Sequence, residues 1–107
     1  MKPILMIISS SPDTPEAQQA LELAQSLLEA GNELGIFYLQ DGVYHATGPW
    51  GSHEVLSNGT VAHYCLREDL EMRGFKADDV AHPVMLSDYD DLVDLMMERS
   101  GQTLGAF

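Results

Sequence analysis

The first 39 residues read as a strand, a helix and a second strand, and this order constrains the fold more than any other feature of the chain. The run "ILMII" (Ile4 to Ile8) is continuously apolar, as expected for a strand covered on both faces. "LGIFYL" (Leu34 to Leu39) is the second such run. Because strand–helix–strand units almost always cross over right-handed between parallel strands, the sequence predicts an α/β fold.

The helix between these strands is the best-defined helix in the sequence. Asp13 or Thr14 is a suitable N-cap, Pro15 fits the first helical position, and Gly31 suits a left-handed C-terminal stop. One face of this segment is apolar at helical spacing, through Ala17, Ala20, Leu21, Ala24, Leu27 and Leu28. We expect that face to pack on the sheet.

The remainder of the chain predicts further alternating elements. A short helix is expected near Val43 to Ala46, followed by a loop as far as Thr60. Beyond it we predict a strand at "VAHYC", a helix at "LREDLEMR" closed by Gly74, a strand at "PVMLS" (Pro83 to Ser87), and an amphipathic helix marked by Tyr89, Leu92, Val93 and Met96. "QTLGAF" is compatible with a last edge strand. The expected architecture is one α/β domain over residues 1–107 with a mainly parallel sheet of about five strands.

Charge and composition exclude several classes of function. The formal net charge of −12 argues against direct binding to nucleic acid or to an anionic membrane, since both partners attract a basic surface. No apolar run reaches the ~18 residues of a membrane span. The single cysteine excludes an internal disulfide and suits a reducing compartment, so we expect a cytoplasmic protein.

The polar segments give weak signals for a bound cofactor or metal. "SSSPDTPE" follows the first strand, but it lacks glycine and contains Asp13 and Glu16, so we interpret it as a turn and helix cap rather than a phosphate or flavin site. The histidines lack metal-ligand spacing and are interpreted as solvated or loop residues: His45, His53, His63 and His82. The late aspartates, Asp88, Asp90, Asp91 and Asp94, are interpreted as a solvated face that opens a helix. We therefore expect no resident cofactor and no metal.

Cys65 leaves two readings open. It is predicted at the carboxyl end of a parallel strand and just before a helix N-terminus, where a thiolate is favoured, and Arg67 is the nearest basic side chain that could support it. His63 would share its face of the strand. Such a thiol could accept and pass on sulfur as a persulfide. Alternatively, Cys65 is a small buried apolar residue, as free cysteines commonly are.

Three stretches of the chain resemble the DsrE/DsrF/DsrH sulfur-relay family, also called TusD/TusC/TusB. They are "LQDGVYHA" (Leu39 to Ala46) and "LREDLEMRGF" with "LSDYDDLVDLMMERSGQTLGAF", and they are most similar to the DsrH/TusB branch. The resemblance spans nearly the whole chain. It implies that the domain is a flavodoxin-like three-layer α/β sandwich and that subunits assemble into dimers, trimers or hexamers. It also implies transfer of persulfide sulfur between donor and acceptor proteins in tRNA thiolation or sulfur oxidation.

The resemblance also implies where a sulfur-accepting cysteine would lie. Counted back from Arg73 and Gly74, the DsrE-type cysteine falls at Leu66, so Cys65 is one position early. Three hypotheses follow. The first is a relay subunit that holds sulfur on Cys65 with support from Arg67. The second is a non-catalytic subunit with a packed cysteine and an interface in the Asp41 to Thr60 segment, through Tyr44 and Trp50. The third is a small flavodoxin-like ligand binder that uses "SSSPDT" and the loop near Trp50.

Overall fold

The computed structural model describes residues 2–47, 59–81 and 83–106. Five strands form one sheet in the order β4-β3-β2-β1-β5, and all four pairings are parallel. The strands are β1 (Ile4–Ile8), β2 (Leu34–Tyr38), β3 (Ala62–Leu66), β4 (Val84–Ser87) and β5 (Gln102–Ala106). The predicted α/β class and parallel sheet are confirmed, and the C-terminal segment does form an edge strand.

Four helices connect the strands within the described ranges. They are α1 (Pro15–Glu29), α2 (Tyr44–Thr47), α3 (Arg67–Met72) and α4 (Tyr89–Asp94), which continues as a π-helical turn over Leu95–Arg99. Short 3₁₀ turns occupy Gln40–Val43 and Ala77–Asp79. None of these helices is long and apolar enough to cross a membrane.

The strand order determines which face each helix covers. From β1 to β4 each new strand is added on the same side of the last, so right-handed crossovers put the intervening helices on one face of the sheet. The return from β4 to β5 runs the other way and puts α4 on the opposite face. This order differs from the flavodoxin order of 2-1-3-4-5, although the three-layer arrangement is shared.

Two apolar clusters fill the spaces on either side of the sheet. The larger contains the apolar face of α1, the even-numbered side chains of β1 and β2, and Cys65. The smaller contains Leu5, Ile7, Phe37 and Leu66 from the strands, packed under Leu92 and Leu95 of α4. The alternation of side chains along each strand produces this division.

Local sequence explains the start of α1. The Thr14 side chain accepts a hydrogen bond from the Ala17 backbone N–H at 3.2 Å, and Pro15 follows as the first helical residue. Of the two predicted caps, Thr14 is therefore the one used. At the other end, Gly31 has a φ of +90°, in the left-handed region predicted for the helix stop.

Candidate functional site

The carboxyl edge of β3 and β4 is where this topology would form a ligand crevice. The chain leaves β3 toward the face of α1 and leaves β4 toward the face of α4, and sites in open α/β sheets form where neighbouring connections diverge in this way. Cys65 and Leu66 are the last two residues of β3. The predicted site residue therefore lies at the expected edge of the sheet.

Cys65 points into the core rather than into the crevice. Its relative accessibility is 0%, it belongs to the α1-side cluster, and its register partners are Tyr38 on β2 and Leu86 on β4. Burial, together with the smaller effect of the nearby Asp69 carboxylate, raises the pKa of the Cys65 thiol to about 12. At neutral pH the sulfur is therefore held as the thiol, which is the less nucleophilic form.

The charges near Cys65 bear on whether its thiol ionises. Arg67 is the first residue of α3 and is exposed, whereas Cys65 is directed inward. Asp69 raises the pKa of Cys65, because its negative charge disfavours a thiolate. A buried site combined with a neighbouring carboxylate disfavours the ionised sulfur.

Leu66, the position of the DsrE-type cysteine, faces the other layer of the protein. It is fully buried and packs in the cluster under α4, while Cys65 packs in the cluster under α1. The one-residue offset therefore moves the sulfur from one face of the sheet to the other, as side-chain alternation requires.

The motif segments "LQDGVYHA" and "LREDLEMRGF" meet at the carboxyl edge of the sheet. The residues that join them are Gln40, Asp41, Asp69 and Arg73, which we call the carboxyl-edge clamp. Asp69 accepts a hydrogen bond from the Gln40 backbone N–H at 2.6 Å. Arg73 donates to Asp41 Oδ1 from Nε at 3.2 Å and from Nη2 at 2.9 Å, and to the Asp69 carbonyl oxygen at 3.1 Å. The clamp thus ties the end of β2 to the helix after β3.

Backbone geometry explains why these motifs contain Gly42 and Gly74 and how Gln40 is held. A side chain at Gly42 would place its Cβ 2.0 Å from the Ile8 carbonyl oxygen, so only glycine fits between β1 and the turn that follows β2. Gln40 has a φ of +52°, a conformation that non-glycine residues adopt only when neighbours hold it, and the bond to Asp69 does so. Gly74 has a φ of +83° just after α3, as the predicted helix stop requires.

A buried column of polar aromatic rings lies beside Cys65. The Tyr38 ring stacks on His45 at 5.5 Å and on His63 at 5.9 Å between centroids. The Tyr38 hydroxyl and His63 Nδ1 form a hydrogen bond of 3.0 Å, and His45 Nε2 donates to the Ser10 carbonyl oxygen at 3.0 Å. Burial lowers the pKa of His63 to about 4, lowers the pKa of His45, and raises that of Tyr38.

The column corrects the interpretation of His45 and His63 as solvated or loop residues. Both are buried, because Tyr38 and a backbone carbonyl supply polar partners inside the core. His63 does lie on the face shared with Cys65, as expected from their spacing. His53 and His82 lie outside the described residues. Among those described, no group of three histidine, cysteine or acidic side chains is arranged to hold a metal ion.

The serine-rich loop after β1 borders a cavity of about 620 Å³. Tyr44 and Phe75 form one wall and meet edge to face, with ring centroids 5.8 Å apart. The lining residues are Ser11, Pro12, Asp13, Asp41, Tyr44, Thr47 and Phe75. Asp13 would repel the phosphate of a flavin, and no basic side chain among the described residues lines the cavity, so the cavity does not favour the ligand-binder hypothesis. Trp50, the other aromatic residue of the predicted interface, lies outside the described residues.

The late aspartates open α4, as the sequence predicts. Asp88 is the N-cap and accepts from the Asp91 N–H at 2.8 Å, while Asp91 accepts from the Asp88 N–H at 3.1 Å. This reciprocal arrangement is a capping box. It satisfies two backbone donors and accounts for two of the acidic residues without a catalytic role.

Similarity to known proteins agrees with the fold and the motifs. A family model described as "DsrH like protein" matches residues 13–102. The crystal structure of the YchN protein from E. coli superposes with a TM-score of 0.80 at 19% identity and covers 100% of both chains. MTH1491 from Methanobacterium thermoautotrophicum, a protein of unknown function, superposes with a TM-score of 0.77 at 13% identity, covering 95% of this chain and 97% of its own. No curated protein sequence matches the chain.

Proposed function

Because the chain belongs to the DsrH-like family, we propose that it is a cytoplasmic subunit of a sulfur-relay assembly that supports persulfide transfer between other proteins without holding the sulfur on Cys65. The family match is the reason to place the protein in a sulfur relay. The burial of Cys65 is the reason to give it a role other than sulfur carrier. This is the packed-cysteine hypothesis of the sequence. That Cys65 and Arg67 form a sulfur-carrying site stays a prediction.

The observation that favours a supporting role is the placement of the thiol. Persulfide exchange requires a sulfur that a second protein can reach and that ionises readily. Cys65 has no accessible surface in the protomer, and its thiol has a pKa of about 12. The equivalent of the DsrE-type position is Leu66, which has no sulfur.

The clamp connects two segments at the carboxyl edge of the sheet. Its ion pair and hydrogen bonds join the segments that follow β2 and β3. This edge can present a surface to the sulfur-bearing cysteine of another subunit. We propose that the assembly is a homo- or hetero-oligomer and that it acts either in tRNA thiolation or in sulfur oxidation.

A complementation experiment tests this function. Deletion of the gene in its native host is expected to reduce thiolated tRNA or sulfur oxidation, and the wild-type gene is expected to restore it. Cys65→Ser should restore the same activity to at least about half, since the thiol is not part of the transfer. Loss of all activity in a folded Cys65→Ser protein would instead establish Cys65 as a carrier. An unchanged phenotype after deletion would reject the relay.

A further inference from the structure

The final helix leaves an apolar flank in solvent. Leu92 and Leu95 pack onto the sheet, but the other apolar residues of the segment are exposed, with Val93 at 56% and Met97 at 76%. The exposed set lies at positions i, i+4, i+7 and i+8, on one side of the helix: Tyr89, Val93, Met96 and Met97. The sequence predicts a wider buried face than the protomer itself covers.

Met85 extends this flank onto the sheet. It pairs in register with Tyr64, whose ring packs in the α4-side cluster, so Met85 faces the same layer as α4. It lies on the edge strand β4 and is 50% exposed. We call Met85, Tyr89, Val93, Met96 and Met97 the α4 stripe. Methionine and tyrosine suit a docking surface, because methionine adapts its shape and tyrosine adds area with few rotatable bonds.

Charge around the α4 stripe indicates what would cover it. Five carboxylates lie in the same segment, at Asp88, Asp90, Asp91, Asp94 and Glu98. The one basic residue there is Arg99, which pairs with Asp94 at 2.9 Å. Two copies joined through this stripe would bring like charges together, which opposes association. A partner with apolar side chains bordered by lysine or arginine would be attracted instead.

We propose that the α4 stripe is a docking surface for a different protein, which contributes a segment with apolar side chains and a basic rim. The inference rests on the proposed function, since a supporting subunit needs a surface for its partners. It names the chemistry of that partner and excludes a second copy of this chain at the same place.

Methyl NMR with a model peptide tests this surface in the full chain. The probe is an amphipathic helical peptide of leucine and lysine, compared with a matched peptide of leucine and glutamate. Binding of the lysine peptide should shift the methyl signals of Met85, Met96 and Met97. The buried Met6 and the exposed Met72 on α3 are internal controls and should not move.

Variants separate the apolar and charged contributions. Val93→Asp should weaken lysine-peptide binding at least about 10-fold, because it puts a charge at the centre of the stripe. Asp90→Asn with Glu98→Gln should weaken it about 3- to 10-fold at low salt and leaves the capping box intact. Glu16→Gln with Glu22→Gln removes the same charge from exposed positions of α1 and should have no effect.

Three results would overturn the inference. They are equal binding of the two peptides, peptide-induced shifts at Met72 in place of the stripe, and a wild-type homo-oligomer that Val93→Asp dissociates in sedimentation experiments. The last would show that a second copy covers the stripe. None of these results depends on the complementation experiment. The docking surface can therefore be rejected while the relay function is supported, and the relay function can be rejected while the docking surface is supported.

Discussion

Gly42→Ala should destabilise the fold through a steric clash between β1 and the turn after β2. The added Cβ would lie 2.0 Å from the Ile8 carbonyl oxygen and 2.8 Å from its carbonyl carbon. Both are backbone atoms, so no side-chain rotation can relieve the contact. The two segments would have to separate by about 1.4 Å to restore an ordinary contact of 3.4 Å.

That separation has a second consequence. The Ile8 carbonyl oxygen accepts a hydrogen bond from the Leu39 N–H at 3.1 Å, and a displacement of that size along this direction would break it. Overpacking costs about 2 kcal/mol and a lost buried hydrogen bond about 1 kcal/mol. Gly42→Ala should therefore lower the free energy of unfolding by about 3 kcal/mol, measured by urea denaturation.

Gly105→Ala is the matched control. No heavy atom lies within 4 Å of a Cβ built there, and its φ is not in the left-handed region, so its stability should stay within about 0.5 kcal/mol of the wild type. If Gly42→Ala also stays within about 0.5 kcal/mol, the close approach of the motif glycine to β1 is refuted.

Three further changes test the clamp and the aromatic column. A double-mutant cycle on Arg73 and Asp41 should give a coupling below about 1 kcal/mol, because the pair is partly exposed; a larger value would mean that it is desolvated. Asp69→Asn should lower the free energy of unfolding by about 1 kcal/mol through its weaker hydrogen bond to Gln40; no change would refute that restraint. For His63, the pKa is lowered in the fold, so the unfolded chain takes up the proton first and stability is lost as pH falls from 6.5 toward 4. The free energy of unfolding lost over this pH range is about 3 kcal/mol, and His63→Gln should remove that loss. If the free energy of unfolding falls with the same slope against pH in both proteins, the buried neutral His63 is contradicted.

The sheet and its main helix could be predicted because local patterns determine them. The apolar run of β1 and the capped, amphipathic α1 each require a particular environment, and the crossover rule then gives parallel strands. Strand order is less accessible, since pairing partners are distant in sequence. The return of β5 to the side of β1 follows from tertiary packing rather than from any motif in "QTLGAF".

The site required three-dimensional information. His45 and His63 look like isolated polar residues in sequence, and their burial depends on Tyr38, which stacks between them. The period-two spacing of His63 and Cys65 was a usable signal for a shared face. Asp69 follows Cys65 closely in the sequence, among basic and acidic neighbours of opposite effect, and only the fold shows that Asp69 raises the pKa of Cys65.

The extent of the buried face of α4 could not be obtained from periodicity alone. The pattern of Tyr89, Leu92, Val93 and Met96 correctly predicts an amphipathic helix, but the sheet receives Leu92 and Leu95 and leaves Tyr89, Val93 and Met96 exposed. Periodicity identifies an apolar side of a helix, and the width of the surface opposite it decides how much becomes buried.

Intact-mass spectrometry after incubation with a low-molecular-weight persulfide donor tests most directly whether Cys65 holds sulfur. The native protein should gain no mass within the time in which an exposed thiol reacts, and its thiol should be labelled rapidly only after denaturant is added. Cys65→Ser is the control for adducts elsewhere. A gain of about 32 Da in the native wild-type protein, reversed by reductant and missing from Cys65→Ser, would contradict the account and identify Cys65 as the sulfur carrier.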